Sequence, residues 1–382
     1  MTGVPAAPAA GMMRWAEIDT EALRANAAAV MDHIGGNVGL MAMVKANGYG
    51  HGAVPAAQAF VAGGATWLGV SSAEEALQLI QAGLTASVLN VNWTHPANVP
   101  ALIAAGVHMT VFDVESVAYL ASTARQTRTP ALVHLKVDTG MNRLGVRPED
   151  LESVIAALCR AAPDVRVTGV FTHFADADGD DLAFTRAQAG RFDAMLPRLR
   201  AVFADALVHA ANSAAILRLP QTHHDLVRAG IVLYGYVPPH CAGVVRVRGA
   251  MTMQACITQV KTVQPGDTVG YGCTWTASRT TRVAVVAAGY ADGVFRTQSN
   301  RAVLLGQVRC PIIGQVSMDQ ISIDVSAARE ARPGDVVTLI GGRDGVVMSA
   351  DEVAAASGTM SREVLCAVSV RVPRVAMEHV RP

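Results

Sequence analysis

Neither sign of charge is in excess. The chain of 382 residues carries 31 Lys and Arg against 31 Asp and Glu, a formal net charge of zero at pH 7. That leaves no electrostatic footprint for nucleic acid. Long apolar runs are also missing: none reaches the ~20 residues needed to cross a bilayer. The N-terminus, MTGVPAAPAAGMMRW, lacks a basic start followed by a long apolar stretch, so it is a poor signal peptide. Residues 1–13 are expected to form a short flexible tail. The six cysteines, Cys159, Cys241, Cys256, Cys273, Cys310 and Cys366, are scattered without a C-x-x-C pair. This argues against a metal cluster or disulfide framework and for the reduced thiols of a cytoplasmic protein.

What is present is ample core material, with 51% hydrophobic and 16% charged residues. The length suits one large barrel plus a smaller module. Apolar, β-branched runs predict strands over 39–45, 66–70, 88–91, 108–112, 132–137, 167–173, 207–210 and 226–231. Helical segments fall between them, for example over 20–32, 73–82, 114–125, 149–161 and 182–204. Asp19 or Thr20 is a candidate N-cap for the first helix, and Asp113 for the one starting at Val114. Eight strands alternating with helices predict a parallel (β/α)8 barrel over 14–245. The competing doubly wound sheet is weakened because no G-x-G-x-x-G follows the first strand. Near Pro238-Pro239 the character changes to short β-rich runs with Pro-Gly turns, predicting a mainly-β domain over 246–382. A helix over 349–356 and a last strand near Val370 would close that domain.

In a barrel the strand ends form one face, and that face carries the chemistry. The polar residues at those ends are Lys45, Arg143, His173, Asn212, Ser213, Arg228 and Gly230. Lys45 follows an apolar strand directly, so partial burial would lower its proton affinity and free it as a nucleophile. The ordinary alternative is a strand-end lysine reaching solvent. Ser213 would open a short helix whose N-terminus favours an anion, or simply cap it. The mostly apolar run around Arg228 argues for a buried arginine.

The stretch KANGYGHG at Lys45 resembles the cofactor-lysine motif of the alanine racemase family. The likeness continues through KVDTGMNRLG (136–145), FTHFA (171–175), HAANSAA (209–215), VRAGIVLYG (227–235), VGYG (269–272), GYADG (289–293) and SMDQ (317–320). It spans nearly the whole chain in the family's order. The resemblance implies that Lys45 holds pyridoxal 5'-phosphate (PLP) as a Schiff base. It implies that Tyr49, Ser213, Gly230, Ile231 and Tyr290 bind the phosphate, with Asn212 nearby. It puts Arg228 against the pyridine nitrogen and His173 behind the ring. Arginine keeps its proton, so it would donate a hydrogen bond without protonating the ring, which favours racemisation over transamination.

The resemblance further implies a homodimer with shared active sites. Lys45 and Tyr271 of the other subunit would be the two catalytic bases, on opposite faces of the substrate. His209, supported by Arg228, would be the partner that lets Tyr271 act as a base. Arg143 would bind the substrate carboxylate, and Lys136 would brace it, carbamylated as in some relatives. Met318 and Asp319 would approach the carboxylate and phosphate from the second subunit. The implied activity is interconversion of L- and D-alanine, supplying peptidoglycan, with no metal, nucleic acid or membrane partner.

Two positions depart from the family pattern. Gln315 stands where many relatives have arginine, and Arg362 where many have a tyrosine that keeps the pocket small. These changes leave open a serine racemase or one of broad specificity. A lone PLP-binding barrel is disfavoured by the β domain and Tyr271, and a decarboxylase of similar architecture by Arg228 and VGYG.

Overall fold

The computed structural model describes residues 11–296, 301–343 and 345–377. Residues 1–10 of the expected tail lie outside them. The strands are β1 (Arg14–Asp19), β2 (Gly39–Met43), β3 (Trp67–Val70), β4 (Ser87–Asn90), β5 (His108–Val111), β6 (Ala131–Lys136), β7 (Val165–Phe171), β8 (Leu207–His209), β9 (Leu226–Ala229) and β10 (Met251–Val263). They continue with β11 (Thr268–Val269), β12 (Trp275–Thr276), β13 (Thr281–Val286), β14 (Ala302–Leu305), β15 (Val308–Ile313), β16 (Ile321–Asp324), β17 (Val336–Arg343), β18 (Val346–Met348) and β19 (Arg374–Met377).

Strands β2 to β9 pair in parallel, in the order β8-β7-β6-β5-β4-β3-β2-β9. Backbone bonds from Asp225 N to Val208 O (3.0 Å) and from Arg228 N to Ala211 O (2.9 Å) join the two ends. The sheet is therefore the (β/α)8 barrel that the alternation predicts. Helices between the strands start on side-chain caps: Ser72 accepts from Glu75 N, Asp113 from Ser116 N and Asn212 from Ala215 N. At the start of the helix Thr20–Ile34 the Thr20 hydroxyl donates to Met377 O at 3.3 Å. Strand side chains alternate between the helix layer and the barrel interior. The interior of β6, β8 and β9 is polar: it holds His134, Lys136, His209 and Arg228, all buried.

The contacts draw the boundaries differently from the expected 14–245 and 246–382. By contacts the described residues divide into a unit spanning 21–48 and 53–248, and a unit spanning 11–20, 49–52 and 249–377. Strand β1, which the sequence reading did not identify and whose residues fall in the range 14–245 expected for the barrel, pairs antiparallel with β10 and parallel with β19 in the second unit. Its buried Trp15, Ala16 and Ile18 find their apolar neighbours there.

In the second unit, β10, β13, β16, β15, β14 and β17 follow one another by pairing, and β17 returns to β10. That ring is a closed antiparallel barrel, which leaves no free edges between those strands. The helix expected over 349–356 is Ala350–Ser357, capped by Ser349, and a further helix, Ser361–Ala367, follows. The last strand is not at Val370, which is 93% exposed in a turn; it is β19, beyond Pro373.

Candidate active site

Lys45 begins a turn that no ordinary helix or strand would make. Ala46, Asn47, Gly48 and Tyr49 all have left-handed backbone, with φ of 52°, 53°, 62° and 48°. For residues with a Cβ that conformation costs about 1–2 kcal/mol each. Local bonds hold it. Glu75 accepts from Ala46 N (2.7 Å), Asn47 Oδ1 accepts from Ala53 N (2.9 Å), and Gly48 N donates to Val44 O (2.8 Å). Such backbone concentrates where a side chain must be aimed.

Arg228, at the end of β9, is 4% exposed and has no carboxylate partner among the described residues. Its Nη1 donates to His209 Nδ1 at 2.7 Å. Its Nη2 reaches Thr172 O (2.7 Å), Ala210 O (2.8 Å) and His173 Nδ1 (3.0 Å). Burial lowers its pKa to about 9. Burial and this guanidinium hold His173 and His209 well below the usual histidine range, so both are neutral. Phe171 stacks on His209 at 4.7 Å, and Arg228 and Lys136 both lie over the Phe171 ring.

His209 cannot serve as expected. Its Nδ1 takes the bond from Arg228 and its Nε2 meets His134 Nδ1 at 2.8 Å, so neither ring nitrogen is left for a tyrosine. His173 is half-buried and engages Arg228 through Nδ1 alone among the described bonds, which leaves Nε2. Of the two histidines bonded to Arg228, His173 alone thus keeps a ring nitrogen without a described bond.

Lys136 is buried, and its pKa falls to about 8; burial is the main cause, then the charges of Arg228 and Arg143, with Lys45 adding and Asp138 opposing. Arg143 is exposed on the loop after β6. Asp138 shapes that loop by accepting from Gly140 N (2.9 Å) and Asn142 N (3.1 Å).

Two short helical turns start beside each other. Asn212 caps Ser213–Arg218, and Gly230 precedes Ile231–Tyr234. Gly230 N donates to Ser213 Oγ at 2.9 Å, tying the two starts together. First-turn amides lack intrahelical acceptors, so this pair of termini suits an anion.

The remaining expected residues belong to the second unit. The Tyr49 hydroxyl is pushed up to about 12, mainly by burial, with Cys366 adding and Arg362 opposing. Arg362 is exposed on the helix Ser361–Ala367. Tyr271 is 70% exposed, and the preceding Gly270 (φ 79°) lies so close that a Cβ there would sit 3.2 Å from Gln315 N. Tyr290 N donates to Ser317 O and Ala291 N to Met318 O, both at 3.0 Å. Tyr271, Tyr290, Gln315, Met318 and Asp319 thus come from segments that touch one another. Asp319 is not free: Arg371 donates to its Oδ1 at 2.6 Å.

Sequence reading missed Glu75, His134, Gln188 and Arg371. Gln188, fully buried, donates to His173 O (3.1 Å) and accepts from Ala175 N (2.9 Å), so it fixes the backbone on either side of Phe174. For His134 a signal existed: two residues before Lys136 on β6, it shares that residue's inward face.

A (β/α)8 barrel with polar groups gathered at its strand ends is an enzyme architecture, and such barrels frequently bind phosphate with the loops after their seventh and eighth strands. The model of the "Alanine racemase, N-terminal domain" matches residues 18–238, and that of the "Alanine racemase, C-terminal domain" matches residues 250–376. The chain is 42% identical to an alanine racemase of Symbiobacterium thermophilum over 363 residues, 94% of this chain and 96% of that one. It is 41% identical to that of Desulfovibrio desulfuricans over 370 residues, 95% and 98% of the two chains. Among solved structures it superposes on the Bacillus anthracis alanine racemase with bound L-Ala-P at TM-score 0.92, with 33% identity over 98% and 97% of the chains. The chain belongs to the alanine racemase family, and so to the isomerases that invert an amino-acid stereocentre.

Proposed function

We propose that the chain interconverts L- and D-alanine with PLP as cofactor, as a cytoplasmic homodimer whose two active sites each draw residues from both subunits. The D-alanine formed would serve peptidoglycan synthesis. The observation that carries this reading is Arg228, a buried cation whose Nη1 and Nη2 are held only by neutral acceptors. Its Nε has no protein acceptor among the described bonds, and a pyridine nitrogen is the acceptor that would complete it.

The residues fit the cofactor elsewhere too. Lys45, at the end of β2, offers the amine that would hold it, and the paired termini at Ser213 and Gly230 offer a seat for its phosphate, with Tyr49 and Tyr290 as further ligands. PLP, when bound, takes up the negative charge left at the substrate α-carbon as its proton leaves. Arg143 receives the substrate carboxylate through its planar fork. Lys45 Nζ moves the α-proton on one face, taking it from D-alanine. Tyr271 Oη of the partner subunit moves it on the other, taking it from L-alanine, with His173 Nε2 as its hydrogen-bond partner. Met318 and Asp319 approach with that tyrosine. Arg228 cannot give up a proton at neutral pH, so it donates a hydrogen bond without protonating the ring and keeps it a weak electron sink, which favours return of the proton to the α-carbon by Lys45 or Tyr271.

Lys136 is suited to carbamylation, because only a neutral amine adds to carbon dioxide, releasing one proton, and its pKa is already lowered to about 8. The carbamate would turn Lys136 into an anion facing the charges of Arg228 and Arg143.

A second reading, a serine or broad-specificity racemase, is supported by Gln315 beside the turn of Tyr271 and by Arg362, whose charge acts on Tyr49. Chiral chromatography of L-alanine and L-serine, each incubated with PLP-loaded protein, separates the two. D-alanine forming much the faster is expected. Comparable D-serine would move the assignment to the second reading, and no D-amino acid from a wider panel would sink both.

A further inference from the structure

We infer that His134 is a positioning residue for Arg228, acting through His209. The inference rests on the proposed role of Arg228 against the cofactor.

Three fully buried or nearly buried groups form a line across β6, β8 and β9: Arg228 Nη1 to His209 Nδ1 at 2.7 Å, and His209 Nε2 to His134 Nδ1 at 2.8 Å. A guanidinium only donates. His209 Nδ1 must therefore accept, so the single proton of this neutral imidazole sits on Nε2. That N–H donates to His134, whose own proton must then sit on its Nε2. The line runs in one direction only, and every tautomer along it is fixed by Arg228.

The last N–H of the line meets no acceptor among the described residues: His134 is 0% exposed and its Nε2 has no hydrogen-bond partner there. An unmet buried donor is destabilising, because its lost hydration is not made good. A leucine, the ordinary filling of a barrel interior, would avoid that cost. What the histidine provides in return is Nδ1, the acceptor for His209.

The backbone around His134 is built for it. A Cβ on Gly169 of β7 would lie 2.3 Å from His134 Nδ1, so only glycine leaves the ring its place. The β6–β7 register slips beside His134: Val133 pairs with Val167, and His134 with Gly169. Thr168, left out of the pairing, bonds His108 Nδ1 at 2.8 Å and Val133 O at 3.2 Å. His108 packs edge-on against His134 at 5.4 Å.

Without the acceptor, the His209 N–H is stranded in a dry core. Its cheapest relief is to move the proton to Nδ1 or to turn the ring. Either breaks the bond to Arg228 and lets the guanidinium shift from its place. His134 thus keeps Arg228 aimed without touching cofactor or substrate.

The test uses the PLP-loaded holoenzyme and the variants His134→Leu and His134→Gln. The amide oxygen of glutamine can accept the His209 N–H; leucine cannot. The readouts are D-alanine formation and pyruvate release from L-alanine, pyruvate appearing when the amino group stays on the cofactor. The ratio of racemisation to pyruvate release is expected to fall about tenfold or more in His134→Leu and to recover largely in His134→Gln. Equal ratios in wild type and His134→Leu, or equal losses in both variants, would overturn the inference. Neutron diffraction of the wild-type crystal tests it independently of whether His134→Leu folds. Deuterium is expected on Nε2 of both His209 and His134, and deuterium on His209 Nδ1 would overturn it. Wild-type protein that racemises no amino acid would instead defeat the proposed function and leave the neutron result standing on its own.

Discussion

One carboxylate oxygen of Glu75 accepts the amide proton of Ala46 at 2.7 Å, while the other accepts that of Ser71 at 2.8 Å. The same carboxylate therefore ties the residue after Lys45 to the end of β3. Its own backbone N–H caps onto Ser72 at 3.2 Å, so the anchor is the first turn of the helix Ala73–Gln81. Glu75→Ala removes both acceptors. Hydrogen bonds to a charged group contribute about 1.5–3 kcal/mol, and partial exposure at Ala46 puts this pair at the lower end. The expected outcome is faster hydrogen exchange at Ala46 and Ser71 and weaker cofactor retention, with Glu75→Gln intermediate because it keeps one acceptor. Wild-type exchange at Ala46 in Glu75→Ala would show that the left-handed turn holds itself.

Lys136 gives a pH signature of defined sign. Burial and the neighbouring cations lower its pKa from 10.5 to about 8 in the folded chain. Below about pH 8 both states are protonated and the folded state bears the whole cost, about 3 kcal/mol for a shift of this size. Between about pH 8 and 10.5 the unfolded chain keeps a proton that the folded chain has lost, so folding stability rises with pH across that window. In buffer free of carbon dioxide, the stability difference between wild type and Lys136→Met should climb through that range. A difference that stays flat would mean the amine is not strained. Added bicarbonate should produce a carbamate mass on wild type, and none on Lys136→Met.

Gly169→Ala tests the space beside His134 directly. The added methyl group would lie 2.3 Å from His134 Nδ1 and 2.5 Å from its Cε1. Overpacking of this kind costs about 1–3 kcal/mol, because ring or strand has to move. Urea unfolding should show that loss, and the proton ratio of racemisation to pyruvate release should fall as in His134→Leu. Full stability would mean that β7 yields more easily than its pairing suggests.

The barrel was legible because apolar strands and helical segments alternate, and the register of side chains then follows by the period of two. Arg228 could be placed inside because the run around it is apolar, and Lys136 was reached through the family motif KVDTGMNRLG. Strand β1 was not legible as a β-domain strand. Its run RWAEID does not alternate strictly, with Trp15 to Ile18 all buried, and its partners β10 and β19 lie more than 200 residues away. The run at 368–372 alternates as well, yet Pro373 cannot donate in a ladder and the strand forms only after it. Family motifs pointed to His209 and His173 alike. Only the bonds tell them apart, since the nitrogens of His209 are used by Arg228 and His134. Glu75 and Arg371 act through backbone amides and another side chain, a role that leaves no motif.

The shared site makes a quantitative prediction. Tyr271 is 70% exposed on its own chain and lies in the unit that does not contain Lys45. If each active site takes Lys45 from one subunit and Tyr271 from the other, Lys45→Ala and Tyr271→Ala chains should each be inactive alone. Mixed after subunit exchange, half of the dimers would be hybrids. In a symmetric two-fold dimer each hybrid holds one site carrying both lesions and one carrying neither. Recovered activity should therefore approach about a quarter of wild type. Affinity tags on the two chains measure the hybrid fraction, so a failure to exchange can be told from a failure to complement. Hybrids in hand with no activity would place both bases in the same subunit, and Tyr271 would then need a route to Lys45 within one chain.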